Sequence, residues 1–207
     1  MSGIKIAVLL SGGGTNLQSL IDAIELGKIP GQISVIISNK KEAFGLKRGE
    51  KHGIETMVLD KNTYGCKEKR DKVLVETLLE KKIDLIVLAG YLAILSSNVI
   101  EKYKNRIINI HPSLIPSFCG DGYYGEKVHQ AVLQRGVKVT GATVHFVNEI
   151  TDGGPIILQE TVAVAIDDDV KTLQEKVLEI EHKILPLAVK LFAEDRLEVV
   201  ENRVKIH

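Results

Sequence analysis

Five short apolar runs, IKIAVLL, ISVIIS, TMVL, IDLIVLAG and RIINI, punctuate the first half of the chain, with longer mixed stretches between them. This alternation constrains the fold more than any other feature. Short runs of Ile, Val and Leu suit strands buried on both faces, and a helix between successive strands brings the chain back to pair in parallel. The connecting segments fit that role. Leu17, Leu20, Ile21 and Ile24 recur at helical spacing, with Gly27 as a stop. A second helix is expected over Phe44 to Lys51, ended by Gly53, and a third over KEKRDKVLVETLLEKK, burying Leu74, Val75, Leu78 and Leu79. A short helix after Ser96 leads into the strand that ends at His111.

The second half reads differently. TGATVHFV and PIILQETVAV are extended stretches joined by NEITDGG, a link too short for a helical crossover, so antiparallel or mixed pairing is expected. A long helix begins near DDDVKTLQEKV, with its acidic residues at the positive end of the dipole. Pro186 is expected to kink or divide it, because proline removes a hydrogen bond from a helix interior. RLEVVENRVKI reads as an edge hairpin. The expected class is α/β, a Rossmann-like parallel first half followed by a more antiparallel second half. The expected organisation is one domain over 1–207, with halves 1–105 and 106–207.

Charge and cysteine content narrow the function. Lys plus Arg and Asp plus Glu each number 27, so there is no basic excess of the kind that a nucleic-acid or membrane-surface binder carries. Cys66 and Cys119 stand far apart in no metal-like spacing, which suggests a reducing compartment and no disulfide framework. IKIAVLL is too short to span a membrane and lacks the form of a secretory signal, so a buried strand in a cytoplasmic protein is expected.

Two segments carry candidate chemistry. LLSGGGTNLQ sets three glycines, Thr15 and Asn16 between the first strand and first helix, where close backbone approach and unpaired helix N–H groups make a phosphate cradle. The bland alternative is a tight turn with Ser11 or Thr15 as helix cap. Leu17 replaces the third glycine of the dinucleotide fingerprint, and no Gly-Lys-Ser/Thr follows, so NAD and ATP are disfavoured. In IINIHPSLIPSF, Asn109 and His111 lie two apart on one side of a strand that Pro112 terminates. An amide and an imidazole so placed can polarise a carbonyl and hold a developing oxyanion. Asp152, in the turn TDGGP, is the expected carboxylate partner, raising the pKa of His111 and keeping it protonated. His145 is expected to be a satisfied core residue. His52 and His129 are read as helix-surface residues, Cys119 as a bystander thiol, and Glu181 with His182 as part of a solvated face.

At these residues the chain resembles the phosphoribosylglycinamide formyltransferase family of the folate-dependent formyltransferase superfamily. SGGGTNLQSLIDA, AFGLKR, VLAGYLAIL, NIHPSLIPSF, TGATVHFV, DGGPIILQ and EHKILP match it in order across nearly the whole chain. The resemblance implies a formyltransferase fold. It also implies formyl transfer from 10-formyltetrahydrofolate, a cosubstrate, to the glycyl amine of glycinamide ribonucleotide in purine biosynthesis. It assigns catalysis to Asn109, His111 and Asp152, and ribonucleotide binding to Gly14, Thr15, Asn16 and Glu181. Folate binding falls to Lys67, Leu92, Ala93, Ile94, Leu95, Asn109, Glu149, Ile150, Thr151 and Asp152. No metal, nucleic acid or membrane is implied, and the chain is expected to be a monomer or a homodimer.

Two features depart from the family pattern. Ala93 stands where relatives often carry arginine, and SFCGDGYYGEK is longer than usual, either a lid or a surface excursion. Three rivals remain: a formyltetrahydrofolate hydrolase using the same three residues, a methionyl-tRNA formyltransferase, and a noncatalytic folate or nucleotide sensor. The hydrolase would carry an added regulatory domain, and the tRNA enzyme an RNA-binding domain with a basic surface. The intact Asn-His-Asp set argues against the sensor.

Overall fold

A computed structural model describes residues 3–207. Its contacts cluster into two compact units, one ending at Ile108 and the other beginning at Asn109.

The first unit contains β1 (Ile4–Leu10), α1 (Thr15–Glu25), β2 (Gly31–Ser38), α2 (Phe44–Lys51), β3 (Thr56–Val58), α3 (Lys61–Tyr64), α4 (Lys67–Glu80), β4 (Leu85–Leu88) and α5 (Ser97–Lys102). β1 pairs in parallel with β2 and β4, and β2 with β3, giving the order β3-β2-β1-β4. Ile6 through Leu10 are fully buried, as the continuous apolar runs require of strands covered on both faces. Leu17 and Leu20 of α1 and Leu74 and Leu78 of α4 are fully buried as well. Truncating one such leucine to alanine costs roughly 2–5 kcal/mol.

Two expectations fail here. Leu79 is half exposed, because α4 ends at Glu80 and turns Arg70 and Asp71 inward instead. Neither Ser11 nor Thr15 caps α1: Gly14 holds the N-cap position in a left-handed conformation without a side-chain cap, and Ser11 is engaged elsewhere.

β5 (Ile107–His111) carries the chain from one unit to the next. The second unit continues with α6 (Glu126–Arg135), β6 (Val139–Phe146), β7 (Ile156–Ala163), α7 (Val170–Ala193), β8 (Leu197–Val200) and β9 (Arg203–Ile206). β6 and β7 are antiparallel, β7 and β9 parallel, and β8 and β9 form an antiparallel hairpin, in the order β6-β7-β9-β8. The mixed α/β architecture expected from the sequence is therefore present. Register between β6 and β7 slips once: Val144 faces Leu158 but His145 faces Ile156, leaving Ile157 as an extra residue in β7.

Asp169 caps α7 by accepting the Thr172 N–H at 2.7 Å, so the acidic start does serve the helix N-terminus. Pro186 does not divide α7, which runs as one helix of 24 residues. Leu173, Val177, Ile184, Leu185, Ala188 and Val189 are buried along it, and their packing offsets the lost hydrogen bond. Among the described residues, no helix is long and apolar enough to cross a membrane.

Candidate active site

Asn109 and His111 sit on β5, and Pro112 ends the strand immediately after them. Two loops bring other groups to this pair. The turn after β6 carries Asp152, a non-glycine residue at φ +54°. This turn lies tight against the end of β6, where a methyl group at Gly154 would collide with the Phe146 carbonyl. The absence of a side chain at Gly154 permits this close approach. The loop after β5 is pinned by Thr143, whose hydroxyl donates to the Ser113 carbonyl at 2.6 Å and accepts the Ile115 N–H at 3.1 Å.

The result is a cluster of four side chains. Asp152 Oδ2 lies 3.6 Å from His111 Nδ1, and its Oδ1 lies 3.7 Å from His145 Nε2. Asn109 Nδ2 is 3.0 Å from His145 Nε2, and Asp152 Oδ2 also accepts the Gly120 N–H at 2.8 Å. Carbonyl partners set the tautomers. His145 Nδ1–H donates to the Phe146 carbonyl at 2.8 Å, which leaves Nε2 to accept from the Asn109 amide. His111 Nε2–H donates to the Phe118 carbonyl at 3.0 Å, so a second proton on this ring arrives at Nδ1, facing Asp152.

The electrostatics correct one expectation. Burial is the largest influence on His111 and pushes its pKa below the ordinary imidazole value. Asp152 and the Phe118 carbonyl pull the other way without prevailing, and His145 adds to the depression. Burial thus pushes His111 towards its neutral form, against the pull of the carboxylate. Burial works to raise the Asp152 pKa, but the two imidazoles and the Gly120 N–H outweigh it and keep the carboxyl below its usual range. The arrangement offers an amide donor, an imidazole and a carboxylate around one point.

The other expected residues fall elsewhere. Gly14, Thr15 and Asn16 form the N-terminal end of α1, held by Gly45 N–H donating to the Gly12 carbonyl and Arg48 Nε donating to the Gly13 carbonyl. A methyl at Gly14 would stand 2.6 Å from Gly45 Cα, so this loop needs glycine for contact as well as for φ. Lys67 opens α4, and Leu92 to Leu95 lie in the loop after β4. Glu149 to Asp152 are the turn already described. Leu92, Ile94 and Ile150 are apolar yet 50%, 64% and 69% exposed. Glu181 is buried on α7, so it belongs to no solvated face. A cavity of about 650 Å³ opens beside Asp152, lined also by Cys119, Pro116 and Arg203. Among the described residues, no group of three His, Cys, Asp or Glu side chains is placed to hold a metal ion.

Sequence reasoning misplaced His129 and placed His145 correctly without seeing what it touches. His145 is as buried as expected, but it binds Asn109 and flanks Asp152. The available signal was Thr143 and His145 two apart in a strand buried on both faces, where each polar group needs a partner. His129 lies inside the unit, 2% exposed, rather than on the surface of α6.

Comparison with known proteins gives a consistent picture. The model of the family described as formyl transferase matches residues 4–189. The chain is 44% identical over 198 residues to the trifunctional purine biosynthetic protein adenosine-3 of Gallus gallus, covering 96% of this chain and 19% of that protein. It thus spans only 19% of the length of that trifunctional relative. It is 40% identical over 199 residues to the phosphoribosylglycinamide formyltransferase of Escherichia coli K12, covering 96% of this chain and 92% of that one. The crystal structure of glycinamide ribonucleotide transformylase 1 from Symbiobacterium toebii superposes with a TM-score of 0.94 at 42% identity, over 99% of this chain and 94% of that chain.

Proposed function

Because the chain belongs to the formyl transferase family, we propose that it moves a formyl group from 10-formyltetrahydrofolate to the glycyl amine of glycinamide ribonucleotide. The observation that supports this most is the convergence of Asn109, His111 and Asp152 around one point, with His145 behind them. In this reading the amine nitrogen attacks the formyl carbon and the carbonyl electrons move onto oxygen. Asn109 gives one amide hydrogen to His145 and offers the other to that oxygen. The proton that the attacking amine loses passes to His111 Nδ1, with Asp152 as countercharge, and from there onward to the leaving nitrogen. The C–N bond to N10 of the folate then breaks, and N10 takes up the proton released by the attacking amine.

Substrate contacts follow the same reading. Gly14, Thr15, Asn16 and Glu181 bind the ribonucleotide. Lys67, Leu92 to Leu95 and Glu149 to Asp152 bind the folate, with apolar side chains at Leu92, Ile94 and Ile150 suited to its rings.

The test is the absorbance change of folate release, measured with and without glycinamide ribonucleotide, together with identification of the product. Release that requires the ribonucleotide and yields the formylated amine supports the proposal. Formate release without it would assign a hydrolase, and binding without either reaction a sensor.

A further inference from the structure

The buried ion pair on α4 has no part in the chemistry above, and its geometry points away from simple stabilisation. Arg70 and Asp71 are adjacent, positions that do not normally face each other on a helix, yet their side chains curl together inside the first unit. Arg70 Nε and Nη2 reach Asp71 Oδ1 at 2.7 and 2.6 Å, with side chains only 9% and 1% exposed. Apolar residues of similar volume would commonly be as stable there, since desolvation of two charges offsets their attraction. What the pair adds is reach. Arg70 Nη2 also donates to the Ile94 carbonyl at 2.9 Å, and Asp71 Oδ2 accepts the Ser96 N–H at 2.6 Å.

These bonds complete a regular series. The Gly90 carbonyl accepts the Ser11 N–H, and the Leu92 N–H donates to Ser11 Oγ at 2.8 Å. Ile94 and Ser96 are held by the ion pair, so every second residue of the segment 90–96 is anchored. The apolar side chains of Leu92 and Ile94 nevertheless stay 50% and 64% exposed. Leu95 is buried, so packing holds one residue of the loop, while the backbone at Leu92 and Ile94 depends on these hydrogen bonds.

We propose that Arg70 and Asp71 are positioning residues that hold the segment 90–96 rigid, so that Leu92 and Ile94 form a prebuilt apolar ledge for the formyl donor. This rests on the functional reading for the identity of the donor. The clamp lowers the ordering cost of binding and touches no reacting atom.

Arg70→Lys is the informative variant, because a lysine keeps the charge that Asp71 needs but lacks the fork that serves Asp71 and Ile94 together. The Michaelis constant for 10-formyltetrahydrofolate should rise about tenfold, the scale of one charge-assisted hydrogen bond, while kcat and the constant for the ribonucleotide stay within about twofold. Amide exchange at Leu92 and Ser96 should quicken. Asp71→Asn, isosteric but leaving the buried Arg70 charge without its countercharge, should shift the same two readouts. Unchanged donor constants in folded variants would overturn the proposal. So would all kinetic constants falling together with the melting temperature, the sign of a merely structural pair. Should the wild type transfer no formyl group, the functional reading fails alone, and loop exchange still decides whether the clamp exists.

Discussion

At the scale of single residues, the site is a set of mutual constraints on protons. Replacing Asn109 with alanine removes one oxyanion donor, and the turnover number should fall by about 10²–10³-fold with the fold intact. Steady-state kinetics alongside circular dichroism checks this. Asp152→Asn should retain the fold and nearly abolish turnover. It also carries a signed consequence for His111. Asp152 raises the imidazole pKa against the larger effect of burial, so removing its charge should lower that pKa further, as an NMR titration of the ring would read. A titration that moves upward, or does not move, would break the assignment of Asp152 as countercharge. Asn109, His111 and Asp152 were legible because strand alternation and the turn chemistry of Asp-Gly-Gly act locally. The balance between burial and carboxylate at His111 was not, because burial depends on everything packed around the ring. The link from His145 to Asn109 was hidden for a similar reason: 36 residues separate them.

At the scale of elements, Gly154, the second glycine after Asp152, determines where the proposed catalytic carboxylate can be. Gly154→Ala should move the turn off the end of β6, because the new methyl group meets the Phe146 carbonyl, and should cost about 1–3 kcal/mol of stability. Activity should fall by far more than that loss implies. Chemical denaturation and kinetics on one preparation would separate the two, and an active, merely destabilised variant would contradict the argument. Most elements could be read from hydrophobic period: α1 through Leu17 and Leu20, α2 to its bounds, and the β8–β9 hairpin. The period failed where polar groups turned inward. On α4, Arg70 and Asp71 are buried although charged, while apolar Leu79 is half exposed. On α7, buried packing carries the helix through Pro186.

At the scale of the molecule, response to acid should reflect buried imidazoles as well as carboxylates. Burial pushes the His129 pKa down to about 4, with His111 a smaller influence in the same direction, and His129 Nδ1 has no hydrogen-bond partner. The folded value lies below the ordinary one near 6.5, so the unfolded chain binds the extra proton. Its contribution is fully present above pH 6.5 and is lost as pH falls towards 4, on the order of 2 kcal/mol. His129→Leu should therefore melt at or above the wild-type temperature at pH 7 and lose less stability between pH 6.5 and 4. A steeper decline in the variant would refute this. The two-part character of the fold was visible in the sequence as parallel-type runs giving way to antiparallel ones. The halves read from sequence meet at 105/106, and the compact units meet at Ile108 and Asn109.

The extra residue in β7 has a consequence of parity. Side chains along a strand alternate like odd and even numbers, and one supernumerary position reverses the order of everything beyond it. Ile157 is that position, and the turn carrying Asp152 lies beyond it. The number of residues between Leu158 and Asp152 is therefore part of the chemical apparatus. Lengthening or shortening the path from Leu158 to Asp152 by one would turn the carboxylate away from both imidazoles while leaving every residue type in place.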